Sequence, residues 1–212
     1  MALVGRKFPD LDVNAMNDMG DTFKVNVLEE ARNNNKKVVL FWYPKDFTFV
    51  CPTELHAFQA ALGEFEKRNT LVIGASCDTA EVHFAWLSTS KDNGGIEGVT
   101  YPILADSNRN LASALGILDI FNEQFDEETG LVTVEGDNVT YRATYIIDEE
   151  GTIQHESVNN MPLGRNVNEY LRIIDALTHV QKNGEVCPAN WEEGKDAMSP
   201  DAKGTAAYLA SH

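Results

Sequence analysis

Lys36–Tyr43 reads KKVVLFWY, a run of β-branched and aromatic residues with no polar position from Val38 to Tyr43, stopped by Pro44. A strand of that composition has no side suited to water. It must be covered on both faces, which places it inside a layered α/β sheet. The next segments agree. Thr53–Lys67 carries Leu55, Phe58, Leu62 and Phe65 three or four apart, the spacing of an amphipathic helix, and Asn69–Asp78 is a second buried strand. The sequence then predicts a helix over Thr79–Ser88 with a Thr or Asp cap, a short strand over Thr100–Ala105, and a short helix over Asn108–Leu115 closed by Gly116. Val139–Asp148 and Gly151–Asn159 read as a hairpin joined through Glu149-Glu150-Gly151. Val167–Gln181 is the last long helix expected, with Val167, Leu171, Ile174, Leu177 and Val180 on one side. Strand and helix alternate up to the hairpin, which predicts an α/β chain with a mixed central β-sheet flanked by helices. From Asn183 the pattern stops. A polar tail of about thirty residues around Cys187-Pro188 is expected to be mobile or docked on a partner subunit.

Composition narrows the partners. The 212 residues suit one domain with an extension, and 17 Lys and Arg against 33 Asp and Glu give a net charge of −16. Such a chain repels nucleic acid phosphates and anionic lipid head groups, so neither is expected as a main partner. No apolar run approaches a membrane span, and the opening Met1-Ala-Leu-Val-Gly-Arg-Lys has no apolar stretch of the signal-peptide kind, so the expected location is cytoplasmic. Three cysteines make no disulfide scaffold. None forms a CxxC pair or a zinc-ligand spacing, and the five histidines share no spacing, so no metal is expected. With no haem or flavin motif either, no cofactor is expected and any catalysis should rest on thiols alone.

The turn Pro44-Lys-Asp-Phe-Thr48-Phe-Val-Cys51-Pro52-Thr53-Glu54 joins the first core strand to the first helix. Pro52 suits the first helical turn, because it has no N–H to leave unsatisfied and its φ is already helical. Cys51 therefore falls at or next to the N-cap, where free backbone N–H groups and the positive end of the helix dipole favour thiolate. Thr48 can offer a hydroxyl to the sulfur or to a bound oxygen. On composition alone two readings stay open for Cys51, a small buried apolar residue or a nucleophile.

The segment PKDFTFVCPTE resembles the active-site segment of the typical two-cysteine peroxiredoxins, the branch that includes the peroxidase subunit of alkyl hydroperoxide reductase. Val186-Cys187-Pro188-Ala189, Phe84-Ala-Trp86, Tyr145-Ile-Ile-Asp148 and Leu163-Gly164-Arg165 also fall in the family's order, so the resemblance covers roughly residues 4–200. It implies a thioredoxin-like fold, with residues 3–165 as the peroxidase domain and 166–212 as a C-terminal helix and tail. It implies that Cys51 attacks a hydroperoxide and becomes a sulfenic acid, shielded by Pro44, with Thr48 hydrogen-bonding sulfur and peroxide. Arg142 matches the essential arginine, beside the sulfur and the leaving oxygen. Glu54 and Arg165 match a supporting network, and Trp86 is expected to pack near the site or simply in the core. Cys187 matches the resolving cysteine, which in the family closes an intersubunit Cys51–Cys187 disulfide. The helix holding Cys51 must unwind locally for the sulfurs to meet. The implied partners are a hydroperoxide, and thioredoxin or a flavin-linked disulfide reductase. The implied assembly is a homodimer that builds a decamer. Cys77 has no family role and is expected to pack in the core.

Two departures bear on overoxidation. The family members that inactivate easily carry Gly-Gly-Leu-Gly and a C-terminal Tyr-Phe, where this chain has Gly94-Gly95-Ile96-Glu97-Gly98 and Tyr208-Leu209. Intermediate to robust behaviour is expected. Two other functions compete: a thioredoxin-like thiol–disulfide oxidoreductase, disfavoured by the lack of CxxC, and a ring-shaped holdase or redox-signalling scaffold.

Overall fold

The computed structural model describes residues 2–212, which divide after Arg165 into two compact units. In the first, strands β1 (Asp12–Met16), β2 (Thr22–Asn26), β3 (Lys37–Trp42), β4 (Thr70–Ser76), β5 (Ile103–Ala105), β8 (Arg142–Ile147) and β9 (Ile153–Asn159) form one sheet. Its order is β2-β1-β5-β4-β3-β8-β9. β3, β4 and β5 run parallel, while β1 pairs antiparallel with β5 and β8 antiparallel with β3, so the sheet is mixed as expected. Two further strands, β6 (Phe121–Phe125) and β7 (Val132–Glu135), pair only with each other.

The apolar run Val38–Tyr43 supplies the middle of this sheet. All six residues of β3 are buried, and they alternate between two layers. Val38, Leu40 and Trp42 join a core completed by Val27 and Ala31 of helix α1 (Val27–Asn34) and by Leu111 and Leu115 of α5 (Asn110–Leu115). On the opposite face Phe41 stacks on Phe58 at 3.9 Å and meets Tyr101 edge-on at 5.7 Å. Phe58 belongs to α2 (Cys51–Ala60), and Phe65 behind it belongs to α3 (Leu62–Lys67). The sequence predicts a single helix over 53–67. The chain instead breaks at Ala61, whose N–H is shared between the carbonyls of Ala57 and Phe58, so one helix ends and a second begins there. α4 (Ala80–Leu87) completes this layer, starting after Thr79, whose side chain makes no capping bond.

In the second unit α6 (Val167–Asn183) begins at Asn166, whose side chain accepts from the Asn168 N–H, and ends at Gly184 with φ near 67°. The residues beyond Asn183 are more organised than the sequence pattern suggests. Val186 and Met198 form a bridge, and Trp191 is buried with its indole N–H on the Lys195 carbonyl. A further helix, α7 (Ala202–Ser211), starts at Asp201, whose carboxylate accepts from Gly204 N–H at 2.6 Å. Its short run of Ala, Gly and Thr carries no apolar period, which is why the sequence does not reveal it.

Candidate active site

β3 delivers the chain into the turn 43–50, and α2 starts directly at Cys51 with Pro52 in its first turn. No side chain caps this helix: Val50 holds the N-cap position. The first-turn N–H groups of Thr53 and Glu54 are satisfied by the Val50 carbonyl instead. Cys51 is fully buried.

Opposite it stands Arg142, the first residue of β8. Its Nε donates to the Met161 carbonyl at 2.6 Å, which fixes the plane of the guanidinium. One terminal nitrogen then donates both to Cys51 Sγ at 3.3 Å and to Glu54 Oε2 at 2.6 Å. Glu54, one turn into α2, also receives Arg165 through that residue's backbone N–H and two guanidinium nitrogens, at 2.8–2.9 Å. The third nitrogen of Arg165 reaches the Trp42 and Ala143 carbonyls and the Thr144 hydroxyl. Its guanidinium lies 5.1 Å from the Phe41 ring centre. For an arginine in a polar segment a surface ion pair would be the ordinary expectation. This one has a side chain 1% exposed.

Charge balance gives the cluster its chemistry. Two buried guanidiniums share a single carboxylate, so the group carries one uncompensated positive charge, and the atom left facing it is a sulfur. The Arg142 guanidinium is thus placed to complement negative charge on that sulfur.

Next to this cluster opens a cavity of about 540 Å³. Pro44, Thr48 and Val50 of the turn line it together with Val139, Arg142 and Met161. Arg142 is thus a wall of the cavity and a donor to the sulfur at once. Thr48 lines the cavity, but its hydroxyl donates to the Lys45 carbonyl at 2.8 Å rather than to the thiol. Its proton is therefore committed to the turn in this state. Trp86 does not reach the sulfur. Its ring backs the turn, 5.9 Å from Tyr43 and 5.8 Å from Phe47, and its N–H holds the Gly94 carbonyl at 2.9 Å.

A second buried cluster supports the turn from below, and no pattern in the sequence announces it. The Tyr43 hydroxyl donates to Asp46 Oδ1 at 2.8 Å, and Asp46 Oδ2 lies 2.7 Å from His83 Nδ1. The other ring nitrogen of His83 is 3.1 Å from the Leu104 carbonyl. Burial pushes the Asp46 carboxyl above its usual range, a rise that the contact with His83 opposes. A lone histidine on a mainly apolar helix is the one signal in the chain that could have pointed to it.

The other two cysteines stand elsewhere. Cys77, just past β4, lies in the core, and burial, with the Asp106 charge adding to it, pushes its thiol up to about 12. Cys187 belongs to the second unit, where its thiol is part-buried and 3.7 Å from the Ala176 carbonyl. Burial raises it as well, against the pull of Arg172. Among the described residues no group of three or more His, Cys, Asp or Glu is placed to hold a metal ion.

The chain is similar to known proteins over nearly its whole length. Residues 4–156 match the AhpC/TSA family, and residues 176–211 match the C-terminal domain of 1-Cys peroxiredoxin. A chloroplastic 2-Cys peroxiredoxin of Hordeum vulgare is 39% identical over 211 residues, covering 100% of this chain and 92% of its own. Alkyl hydroperoxide reductase C of Buchnera aphidicola is 38% identical over 209 residues, covering 99% and 97%. The crystal structure of reduced Plasmodium vivax 2-Cys peroxiredoxin superposes with a TM-score of 0.86 at 37% identity, covering 99% of this chain and 100% of that one. The sheet and its helices are thus those of the thioredoxin-like fold.

Proposed function

The chain belongs to the peroxiredoxins of the AhpC/TSA family and is a thiol-dependent peroxidase, and from that premise we propose that Cys51 is the peroxidatic residue and Cys187 the resolving one. The observation that carries the assignment is the Arg142 donor at 3.3 Å from Cys51 Sγ, at the edge of the cavity that the turn lines. A hydroperoxide entering that cavity approaches the sulfur past Arg142, which lines the cavity and donates to Sγ. The thiolate attacks the distal oxygen, an S–O bond forms as the O–O bond breaks, and the departing alkoxide or hydroxide takes a proton to leave as alcohol or water. Arg142 holds the charge as it moves from sulfur to the leaving oxygen. Glu54 and Arg165 hold Arg142, and Pro44 and Val139 exclude water from the reacting atoms.

The sulfenic acid left on Cys51 then condenses with the Cys187 thiol of a second copy, forming an S–S bond and releasing water. Two features support assembly. β9 ends the seven-stranded sheet, so the sheet can continue into the same strand of a second copy, and Phe47 and Phe84 are exposed apolar surface through which dimers can join into a decamer. The disulfide is reopened by thiol exchange with thioredoxin or a flavin-linked disulfide reductase.

The test is peroxide consumption with thioredoxin and its reductase, read beside a non-reducing gel, for the wild type, Cys51→Ser and Cys187→Ser. The expected result is no turnover for Cys51→Ser, and a disulfide-linked dimer in peroxide-treated wild type that Cys187→Ser cannot form. Equal consumption by all three, or no dimer, overturns the assignment.

A further inference from the structure

The β6–β7 ribbon is a built feature to which the peroxidase chemistry assigns nothing. Its root is fixed beside the active site. The Asp119 N–H donates to the Val139 carbonyl at 2.8 Å, the Asn138 N–H donates back to the Asp119 carbonyl at 3.1 Å, and the Tyr141 hydroxyl holds the Asp119 carboxylate at 2.7 Å. Gly136 sits at φ +106° where an added Cβ would lie 2.2 Å from the Asp119 carbonyl oxygen, so the two chains cross there closely and only glycine fits. Directly after this crossing, Asp137 and Val139 line the active-site cavity. The ribbon is therefore a rigid-rooted extension of the cavity rim.

Outward from that root its residues are in water. Every residue of β6 and β7 is exposed. Phe125 pairs directly with Val132, and Val134 comes next on the same face, with Leu131 beside them at the turn. Phe125 is 65% exposed and Leu131 57%. A lone two-stranded ribbon is marginal in water, and an apolar face presented this way gains stability only when something covers it. The charge says what kind of surface does so. All seven ionisable side chains from Asp119 to Asp137 are carboxylates, with no Lys or Arg among them. A second copy of a chain with net charge −16 would bring like charges together over this face.

We propose that the β6–β7 ribbon is the docking surface for the protein disulfide reductase that regenerates this enzyme, a partner presenting an apolar centre ringed by Lys and Arg around its own dithiol. The proposal rests on the thiol-peroxidase reading. It places a cationic partner at the rim of the cavity where the oxidised sulfur has to be reached, and the carboxylates steer its approach.

Two variants test it without touching the catalytic groups. Glu127→Lys with Glu128→Lys reverses charge at the tip, where Asp126 makes the capping bonds of the turn. Phe125→Ser with Val132→Ser removes the apolar pair. Disulfide-oxidised protein is reduced by thioredoxin with its reductase, by a flavin-linked disulfide reductase, and by dithiothreitol, which needs no docking. The expected result is a KM for the protein reductant raised about tenfold in both variants, with unchanged dithiothreitol reduction and unchanged peroxide oxidation of Cys51. In the wild type that KM should rise from low salt to about 0.3 M salt, and in the charge-reversed variant it should not. A KM within twofold of wild type in both variants overturns the proposal. So does an altered sedimentation mass with unchanged KM, which would make a second copy the occupant. If dithiothreitol sustains peroxide turnover while neither protein reductant does, the docking proposal alone fails; if dithiothreitol sustains none, the peroxidase reading fails with it.

Discussion

Cys51 and Cys77 lie in one unit, each after a strand of the parallel centre of the sheet and each out of water, yet the charged groups around them are opposite. Around Cys77 burial acts first, and the nearest carboxylates, Asp106 and Asp78, add to it against Arg109 alone; the thiol is pushed up to about 12 and stays protonated. Cys51 is buried more completely still, but the charged group bonded to it is a guanidinium with only a half-share of a carboxylate. Burial, then, is not what separates the two sulfurs. What sets the Cys51 site apart is a guanidinium beside the sulfur without a full counter-charge, and a cavity opening next to it.

The strongest way to break this contrast is Arg142→Met, which gives Cys51 surroundings like those of Cys77. Arg165 still pairs with Glu54 through three bonds, so the fold should persist. The second-order rate of Cys51 oxidation by hydrogen peroxide, followed by stopped-flow tryptophan fluorescence, should fall about a thousandfold. Arg142→Lys should recover only part of that loss, because an ammonium cannot hold Met161, Glu54 and the sulfur in one plane. A rate within tenfold of wild type for Arg142→Met would show that the helix terminus, and not the guanidinium, activates the thiol.

The same contrast explains what a sequence can reveal. β3 is legible because all its side chains are buried, and an unbroken apolar run of that length fits little besides a strand covered on both faces. The Cys51 turn is legible because Pro52 marks the first turn of a helix locally. The β8–β9 hairpin is legible from its turn. By contrast, the Glu54–Arg165 bonds join residues 111 apart, and the Asp46–His83 contact joins residues 37 apart. Neither leaves a periodic trace, so Arg142 and Arg165 stand out only through family resemblance, and of Tyr43, Asp46 and His83 only the histidine, alone on a mainly apolar helix, gives any signal. The β1–β2 hairpin and the β6–β7 ribbon escape for a related reason. Their strands are short or exposed, so pairing and not burial defines them, and hydropathy reports only burial. The break at Ala61 has no Gly or Pro to announce it, because a shared hydrogen bond makes the turn.

Cys187 is the intermediate case, and it sharpens the comparison by a smaller effect. Burial raises its thiol and Arg172 opposes the rise only in part, so near neutral pH it is protonated. Attack on a sulfenic acid requires the thiolate. Raising the pH towards the raised pKa therefore increases the reactive fraction, and the rate of disulfide formation should climb about tenfold per pH unit between about pH 6 and 8. Quenched samples run on non-reducing gels give that rate directly. A flat profile would mean that Cys187 is already a thiolate when it attacks, and that its surroundings change before the step.

The smallest effect belongs to Cys77, and it closes the comparison from the other side. If Cys77 is only a packing residue, Cys77→Ala removes one buried sulfur and leaves a small cavity, so stability should drop by about 1 kcal/mol. That would show as a lower urea midpoint with an unchanged slope. Peroxide turnover should stay within about twofold of wild type, because Cys77 neither lines the active-site cavity nor contacts Arg142. In the folded wild type, iodoacetamide at mildly alkaline pH should alkylate Cys187 and spare Cys77, since a thiol held near 12 offers almost no thiolate there. Sulfenic acid found on Cys77 under peroxide would undo the contrast more directly than any change in stability. It would show that a buried thiol with carboxylate neighbours can react after all, and that the positive charge opposite Cys51 is not what separates the two.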